Sequence, residues 1–250
     1  EIGQLAGVFE TDWSWSVLMA DFDNDGWKDI HITNGLGKDM TNNDYASFRN
    51  GQAPNNYTFG KSEAENTTDK TSTQELRKNI DAYGSIKMEN YFFHNNGNLS
   101  FSNVTKQTAL SVPSISNGAA YADLDNDGDL DLVVNNIDAA ASVYENQTNK
   151  LNPTAKWMEV KFKGPAGNRD GLETKVYLWQ NGMMQYGYCA PVRGYLSSVP
   201  AMVHFGLIDK PIDSIKVLWP DGKTQIVSKP ALNQILVLDY KNAVSAATPF

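Results

Sequence analysis

One cysteine, Cys189, and three histidines in 250 residues exclude an internal disulfide and the Cys/His frameworks that hold structural zinc. No apolar run is long enough to cross a bilayer as a helix. Basic residues are outnumbered, with 21 Lys and Arg against 29 Asp and Glu for a net charge of −8. No basic stripe is present to neutralise phosphates, so nucleic acid is not an expected partner. His31, His94 and His204 sit in strand-like runs with apolar neighbours. Nothing groups a nucleophile, a base and an orienting acid as a hydrolytic triad would require, so no catalytic residue is assigned. Cys189, between Tyr188 and Ala190, reads as a small buried hydrophobe.

What the chain has instead is acid concentrated in two places. Residues 20–34 and 122–136 are two copies of one loop, identical at eight of fifteen positions, including every carboxylate of the pattern D-x-D-x-D-G-x-x-D. Four acids so close repel each other. At about 4 to 5 Å and an effective dielectric near 20, each pair costs about 3 to 4 kcal/mol, so a cation is required to relieve them. Calcium takes roughly 6 to 8 oxygens in a flexible shell. Asp21, Asp23 and Asp25, and in the second copy Asp123, Asp125 and Asp127, offer carboxylates from alternate positions. Gly26 and Gly128 allow the sharp turn at position 6. Trp27 and Asp129 would contribute backbone carbonyls, and Asp29 and Asp131 would close the shell. Ile32 and Val134 stand where an EF-hand needs its bidentate Glu, so these are not EF-hands. Two calcium sites are expected. Magnesium prefers a rigid octahedron that keeps its water, and zinc lacks its ligands here.

Short apolar or alternating runs flank each loop: 16–20 and 30–33 around the first, 118–122 and 130–134 around the second. Further strands are expected at 91–94, 99–104 and 141–145. Four short antiparallel strands per repeat is the composition of a propeller blade.

These loops between two strands resemble FG-GAP repeats, also called VCBS repeats, and Asn90–Phe101 is similar to the outer half of such a blade. The resemblance implies an integrin-α-like β-propeller with calcium in the blade hairpins. From Trp157 to Leu238 the chain resembles the ASPIC/UnbV domain that follows such repeats in bacterial surface proteins. The matching pieces are Asn168-Arg-Asp-Gly171, Arg193-Gly-Tyr-Leu-Ser197, His204-Phe-Gly-Leu207, Trp219-Pro-Asp-Gly222 and Asn233-Gln234. A propeller needs about 4 to 8 blades to close and two loop-bearing repeats are present. The chain is therefore expected to be the C-terminal piece of a longer protein, with Glu1–Thr11 the tail of an earlier blade.

The expected architecture is all-β. Residues 1–150 form propeller blades with an insertion over about 35–89, and residues 151–250 form a small antiparallel sandwich or barrel. Within the insertion, Ser72-Thr-Gln-Glu75 has the spacing of a capping box; Leu76, Ile80 and Tyr83 form an apolar stripe, and Gly84 is a stop. Asn181-Gly182 predicts a two-residue hairpin. The expected function is a calcium-stabilised, non-catalytic module that binds glycan or surface protein. Loops of moderate affinity fill where calcium is near millimolar, so an extracellular, cell-surface or periplasmic location is expected. Trp13 and Trp15 could stack on sugar rings if they share a strand face; the alternative is that they wedge between blades. A scaffold within a calcium-dependent polysaccharide lyase, or a structural spacer, are the other readings.

Overall fold

The computed structural model of the chain describes residues 2–37 and 85–245. The helix expected at 72–84 and most of the insertion lie outside them.

The fold is all-β, as the alternation and turn residues require. Strands β1 (Ser14–Ala20), β2 (Asp29–Asn34), β3 (Tyr91–Asn95) and β4 (Phe101–Asn103) form a four-stranded meander in the order β1-β2-β3-β4. Each pair is antiparallel, so this is one blade, and the insertion sits between its second and third strands. The second blade holds three strands, β5 (Ser116–Ala122), β6 (Asp131–Asn136) and β7 (Ser142–Tyr144). A single helical turn, α1 (Gly3–Ala6), precedes β1, where the sequence reads as a blade tail; another, α2 (Thr148–Leu151), follows β7.

Period-two alternation decides how the blades pack. Ser16, Leu18 and Ala20 on β1 are buried, whereas Val17 and Met19 are each about half exposed. The buried face meets Ala119 on β5 and Leu132 and Val134 on β6, with Phe22, Leu110 and Leu130 completing the cluster. Phe22 makes edge contacts with Phe92 and Tyr121, at 5.4 and 6.0 Å between ring centroids.

The C-terminal part is a two-sheet sandwich. One sheet has the order β10-β9-β12-β13, from β9 (Lys175–Gln180), β10 (Met183–Tyr188), β12 (Ile212–Leu218) and β13 (Thr224–Ser228). The other has the order β11-β8-β14, from β8 (Lys156–Lys163), β11 (Met202–Leu207) and β14 (Gln234–Asp239). All pairs are antiparallel except β14, which runs parallel to β8. Met158 and Val160 of one sheet, and Val176, Leu178, Ile215 and Val217 of the other, are fully buried between the layers. Cys189 lies in the same core with no exposed surface, and burial pushes its thiol up to about 11. The Trp219-Pro-Asp-Gly222 turn closes through Gly222 N–H to the Trp219 carbonyl at 2.9 Å, and Trp219 is anchored between Phe162 and Tyr240.

Two features lock sandwich to blades. The loop Arg193–Ser197 inserts between β1 and β5: Tyr195 N–H donates to Ser16 Oγ at 3.2 Å. A side chain at Gly194 would collide with Ser16, and one at Gly118 would meet Ser197. The outer face of the β11-β8-β14 sheet covers the two acidic loops.

Candidate metal centre

The two acidic loops join β1 to β2 and β5 to β6, and they fold alike. In the first, Asp21 accepts from the N–H groups of Asp25 (3.1 Å) and Gly26 (2.8 Å). In the second, Asp123 accepts from Asp127 (3.2 Å) and Gly128 (3.0 Å). Asp23 and Asp125 each receive the same N–H from the other side, at 3.3 Å. These bonds curl the backbone so that alternate residues turn inward. The curl forces left-handed backbone at two positions per loop: φ is 57° and 63° at Asn24 and Asn126, and 94° and 90° at Gly26 and Gly128. Asn and Gly are the residues that tolerate it.

One ligand oxygen from each of Asp21, Asp23 and Asp25 lies within 4.8 Å of the others, and the same holds for Asp123, Asp125 and Asp127. The carboxylate at position 9 acts as a strut. Asp29 accepts from Phe22 N–H (3.3 Å) and Asn95 N–H (2.9 Å). Asp131 accepts from Leu124 N–H (2.9 Å) and Asn146 N–H (2.8 Å). Each ties its loop to the end of the third strand. Asn95 and Asn146, unassigned from the sequence, are equivalent in the two blades; their signal is that each directly follows an expected third strand.

Burial makes these acids hard to ionise in the protein alone. It raises Asp21 well above the ordinary carboxylate range, with Asp25 and Asp23 adding repulsion. It pushes Asp29 up to about 7 and Asp129 to about 6. Asp25 and Asp123 are raised for the same first reason.

The loops also differ. His94, at the end of β3, places Nδ1 3.1 Å from Asp23 Oδ2 and 3.4 Å from Asp29 Oδ1. It therefore belongs to the first acidic cluster, a role its strand-like surroundings did not show. In the second blade Glu145 takes its place and pairs with Lys150, whose Nζ lies 3.9 Å from Asp125 Oδ2. Trp27 is exposed, with its ring against Gly97. Asp129, at the same position of the second loop, is fully buried, and its side chain accepts from Asn149 N–H at 3.0 Å. Asp129 Oδ1 and Asp127 Oδ2 are buried without a hydrogen-bond partner.

The sandwich seals both loops. A side chain at Gly206 would occupy the place of Asp21 Oδ2 and the Asn24 backbone, and the Trp157 ring lies on Gly128. Asn24 joins all three parts. Its amide donates to Gly128 O (3.1 Å) and to Asn149 Oδ1 (3.3 Å), and its Oδ1 is 2.7 Å from His204 Nε2. Because the Asn24 oxygen can only accept, His204 carries its proton on Nε2 and donates. Burial lowers both His204 and His31 to about 4, so both are neutral packing residues.

Trp13 and Trp15 are placed differently. Trp15, on β1, donates Nε1–H to Gly35 O at 2.7 Å and its ring meets Tyr195 at 5.1 Å. Trp13 lies before the strand and is 38 % exposed.

Comparison with known proteins agrees with this geometry. Residues 80–134, which contain the second loop, match the family described as FG-GAP-like repeat, and residues 164–245 match ASPIC and UnbV. The chain is 27 % identical over 241 residues to cartilage acidic protein 1 of Mus musculus and of Homo sapiens, covering 90 % of this chain and 36 % of each relative. It is 29 % identical over 135 residues to the Xenopus tropicalis protein of that name, covering 52 % of this chain and 21 % of the relative. It thus spans about a third or less of the relatives' length. Over residues 80–134 the chain is thus similar to an FG-GAP-like repeat, over residues 164–245 to ASPIC and UnbV, and along nine-tenths of its length to cartilage acidic protein 1.

Proposed function

We propose that this chain is a calcium-stabilised, non-catalytic binding module that recognises glycan or protein outside the cytosol, in the extracellular space, at a cell surface or in the periplasm. The observation that carries the calcium reading is the buried carboxylate oxygen Asp127 Oδ2, which has no hydrogen-bond partner and belongs to the gathered Asp123, Asp125 and Asp127 set. An unpaired buried carboxylate oxygen is costly, and a bound cation relieves it. The donor set is all oxygen apart from His94, which suits a hard cation. Asp21, Asp23, Asp25, the Trp27 carbonyl and Asp29 would hold one ion. Asp123, Asp125, Asp127, the Asp129 carbonyl and Asp131 would hold the other. Bound calcium neutralises the carboxylates and stiffens the loops on which the sandwich rests. Extracellular calcium, near millimolar, would keep loops of moderate affinity occupied.

We place the boundary between blades and C-terminal domain near residue 150. The two buried clusters support it, since all fully buried members of one precede that point and all those of the other follow it. The non-catalytic reading draws support from the neutral state of His31 and His204, the full burial of His31 and the buried thiol of Cys189. No helix among the described residues is long and apolar enough to cross a membrane. A ligand near Trp13 and Trp15 would meet the exposed ring of Trp13, because Trp15 is held by Gly35 and Tyr195.

Thermal unfolding in calcium and in chelator tests the metal reading. Free ion a hundredfold above its dissociation constant adds about 2.7 kcal/mol per site. At about 2 to 4 °C per kcal/mol for a chain of this size, two sites predict a rise on the order of 10 to 20 °C. Superimposable melting curves would sink it.

A further inference from the structure

Alternation on β8 sends Met158, Val160 and Phe162 into the sandwich core, so Trp157, Glu159 and Lys161 share the opposite face, which is turned to the blades. Cross-strand register sets Gly206 beside Trp157 and His204 beside Glu159. On β11, Gly206 presses on Asp21 and His204 bonds Asn24, both in the first loop. On β8, Trp157 lies on Gly128 of the second loop. Each strand therefore covers one loop, and Glu159 is the next β8 residue on the side of the second. An acid is the least expected residue over a loop already crowded with aspartates, because like charges repel.

Glu159 is 2 % exposed, and only one of its carboxylate oxygens has a partner. Oε2 lies 3.4 Å from Lys161 Nζ, whereas Oε1 is buried with no hydrogen-bond partner among the described residues. Burial holds the carboxyl above its ordinary range; Lys161 opposes that shift, and Asp123 of the second loop adds repulsion. The cross-strand neighbour His204 does not relieve Oε1. It donates Nε2–H to Asn24, which leaves its Nδ1 an acceptor, itself buried and unpartnered. Two acceptors side by side cannot bond each other. A buried carboxylate oxygen without a donor is costly and calls for a positive partner. Asp127 Oδ2, in the second loop, is buried in the same condition. One cation relieves the orphan oxygens of both the loop and its cover.

We propose that Glu159 is the sandwich's own ligand to the cation of the second loop, so that binding the ion and docking the sandwich on the second blade are linked. This rests on the calcium reading of the loops. The first loop has no matching acid from β11, where Gly206 and His204 face it; its added support, His94, comes from its own blade. A further carboxylate raises the ligand charge of the second site, and ligand charge is one of the quantities that set calcium affinity. The linkage is reciprocal: the docked sandwich tightens the ion, and the ion holds the sandwich.

Isothermal titration of calcium into the full chain tests this, in an Asp23→Ala background that leaves the second loop as the site read. Glu159→Gln keeps the shape, removes the charge and is expected to weaken calcium binding tenfold or more. Glu159→Asp keeps the charge and is expected to retain part of the affinity. Lys161→Met removes the partner of the other oxygen and is expected to leave binding as tight or tighter. Melting curves separate a ligand from a merely structural residue. In chelator, Glu159→Gln is expected to melt no lower than its parent, since a buried acid near Asp123 has lost its charge; in calcium it is expected to melt lower. Equal losses of melting temperature in calcium and in chelator overturn the proposal, as does weakening by Lys161→Met as large as that by Glu159→Gln. Unchanged affinity in Glu159→Gln removes this proposal alone and leaves Glu159 a protonated donor to His204 Nδ1. No calcium binding in the Asp23→Ala parent also overturns it; no binding in the unsubstituted chain removes the calcium reading with it.

Discussion

The two acidic loops share eight of fifteen residues and the same backbone curl, yet they are sealed differently. The first is closed by small contacts: the Gly206 backbone presses on Asp21, the tip of Gln185 approaches Gly26, and His94 supports the acids from the side. The second is closed by one large ring, Trp157 on Gly128, and buries an extra acid, Asp129. Repeats that arise from one sequence pattern can thus keep their loop geometry and diverge wholly in what packs on it. Ligand geometry is dictated within the loop, whereas the cover is drawn from distant strands.

The largest expected effect sharpens that contrast. Gly128→Ala and Gly26→Ala carry the same left-handed strain, since φ is 90° and 94°. A Cβ at Gly128 must displace the Trp157 ring, whereas at Gly26 it meets the flexible Gln185 amide at 3.3 Å. Overpacking of this kind costs about 1 to 3 kcal/mol. Gly128→Ala is therefore expected to be about 2 kcal/mol more destabilising in urea unfolding; equal losses would break the contrast.

A smaller effect distinguishes the blades themselves. His31 is fully buried, and the repeat places Val133 at the corresponding point of the second blade. Burial lowers its folded pKa to about 4, below the ordinary value of 6.5, so the folded state holds it neutral while the unfolded chain takes up a proton. That stability is present above pH 6.5 and is lost as pH falls toward 4. At pH 5 the loss is up to about 2 kcal/mol. His31→Val is expected to remove this share of the acid sensitivity, measured by denaturant unfolding at pH 7 and pH 5 in chelator. An unchanged pH response would show that His31 is not its source.

The smallest effect concerns the exposed rim. Lys150 approaches Asp125 of the second loop while pairing with Glu145. Exposed pairs contribute little, because water and salt screen them. Lys150→Ala is expected to raise calcium affinity at the second loop by no more than about fivefold, read by titration in an Asp23→Ala background. A drop in affinity would reverse the assigned role.

Much of this was legible in the sequence because it is local. The aspartate spacing, the glycine at position 6 and the flanking alternation give loop, turn and strands, and each of those depends on residues within a few positions of one another. The Asn181-Gly182 hairpin is local in the same way, and β9 and β10 pair across it. His94, Asn95 and Asn146 were not legible as parts of the loops. Their contacts span 15 to 71 positions, from Asn146 to Asp131 and from His94 to Asp23, and no short window can hold that information. The partners of Trp15 were not legible for a related reason: alternation tells which face a ring lies on, but not that Tyr195 and Gly35 meet it there.

Sequence alone determined that this chain has two oxygen-rich loops of one design on short β-strands, because repulsion among clustered carboxylates and the conformational freedom of Gly are properties of neighbouring residues. Only the tertiary structure decided which groups close those loops, how one asparagine joins both to the sandwich, and which aromatic residues stay at the surface. Those outcomes depend on strands far apart in the chain meeting at van der Waals distance, where register and volume select the partners.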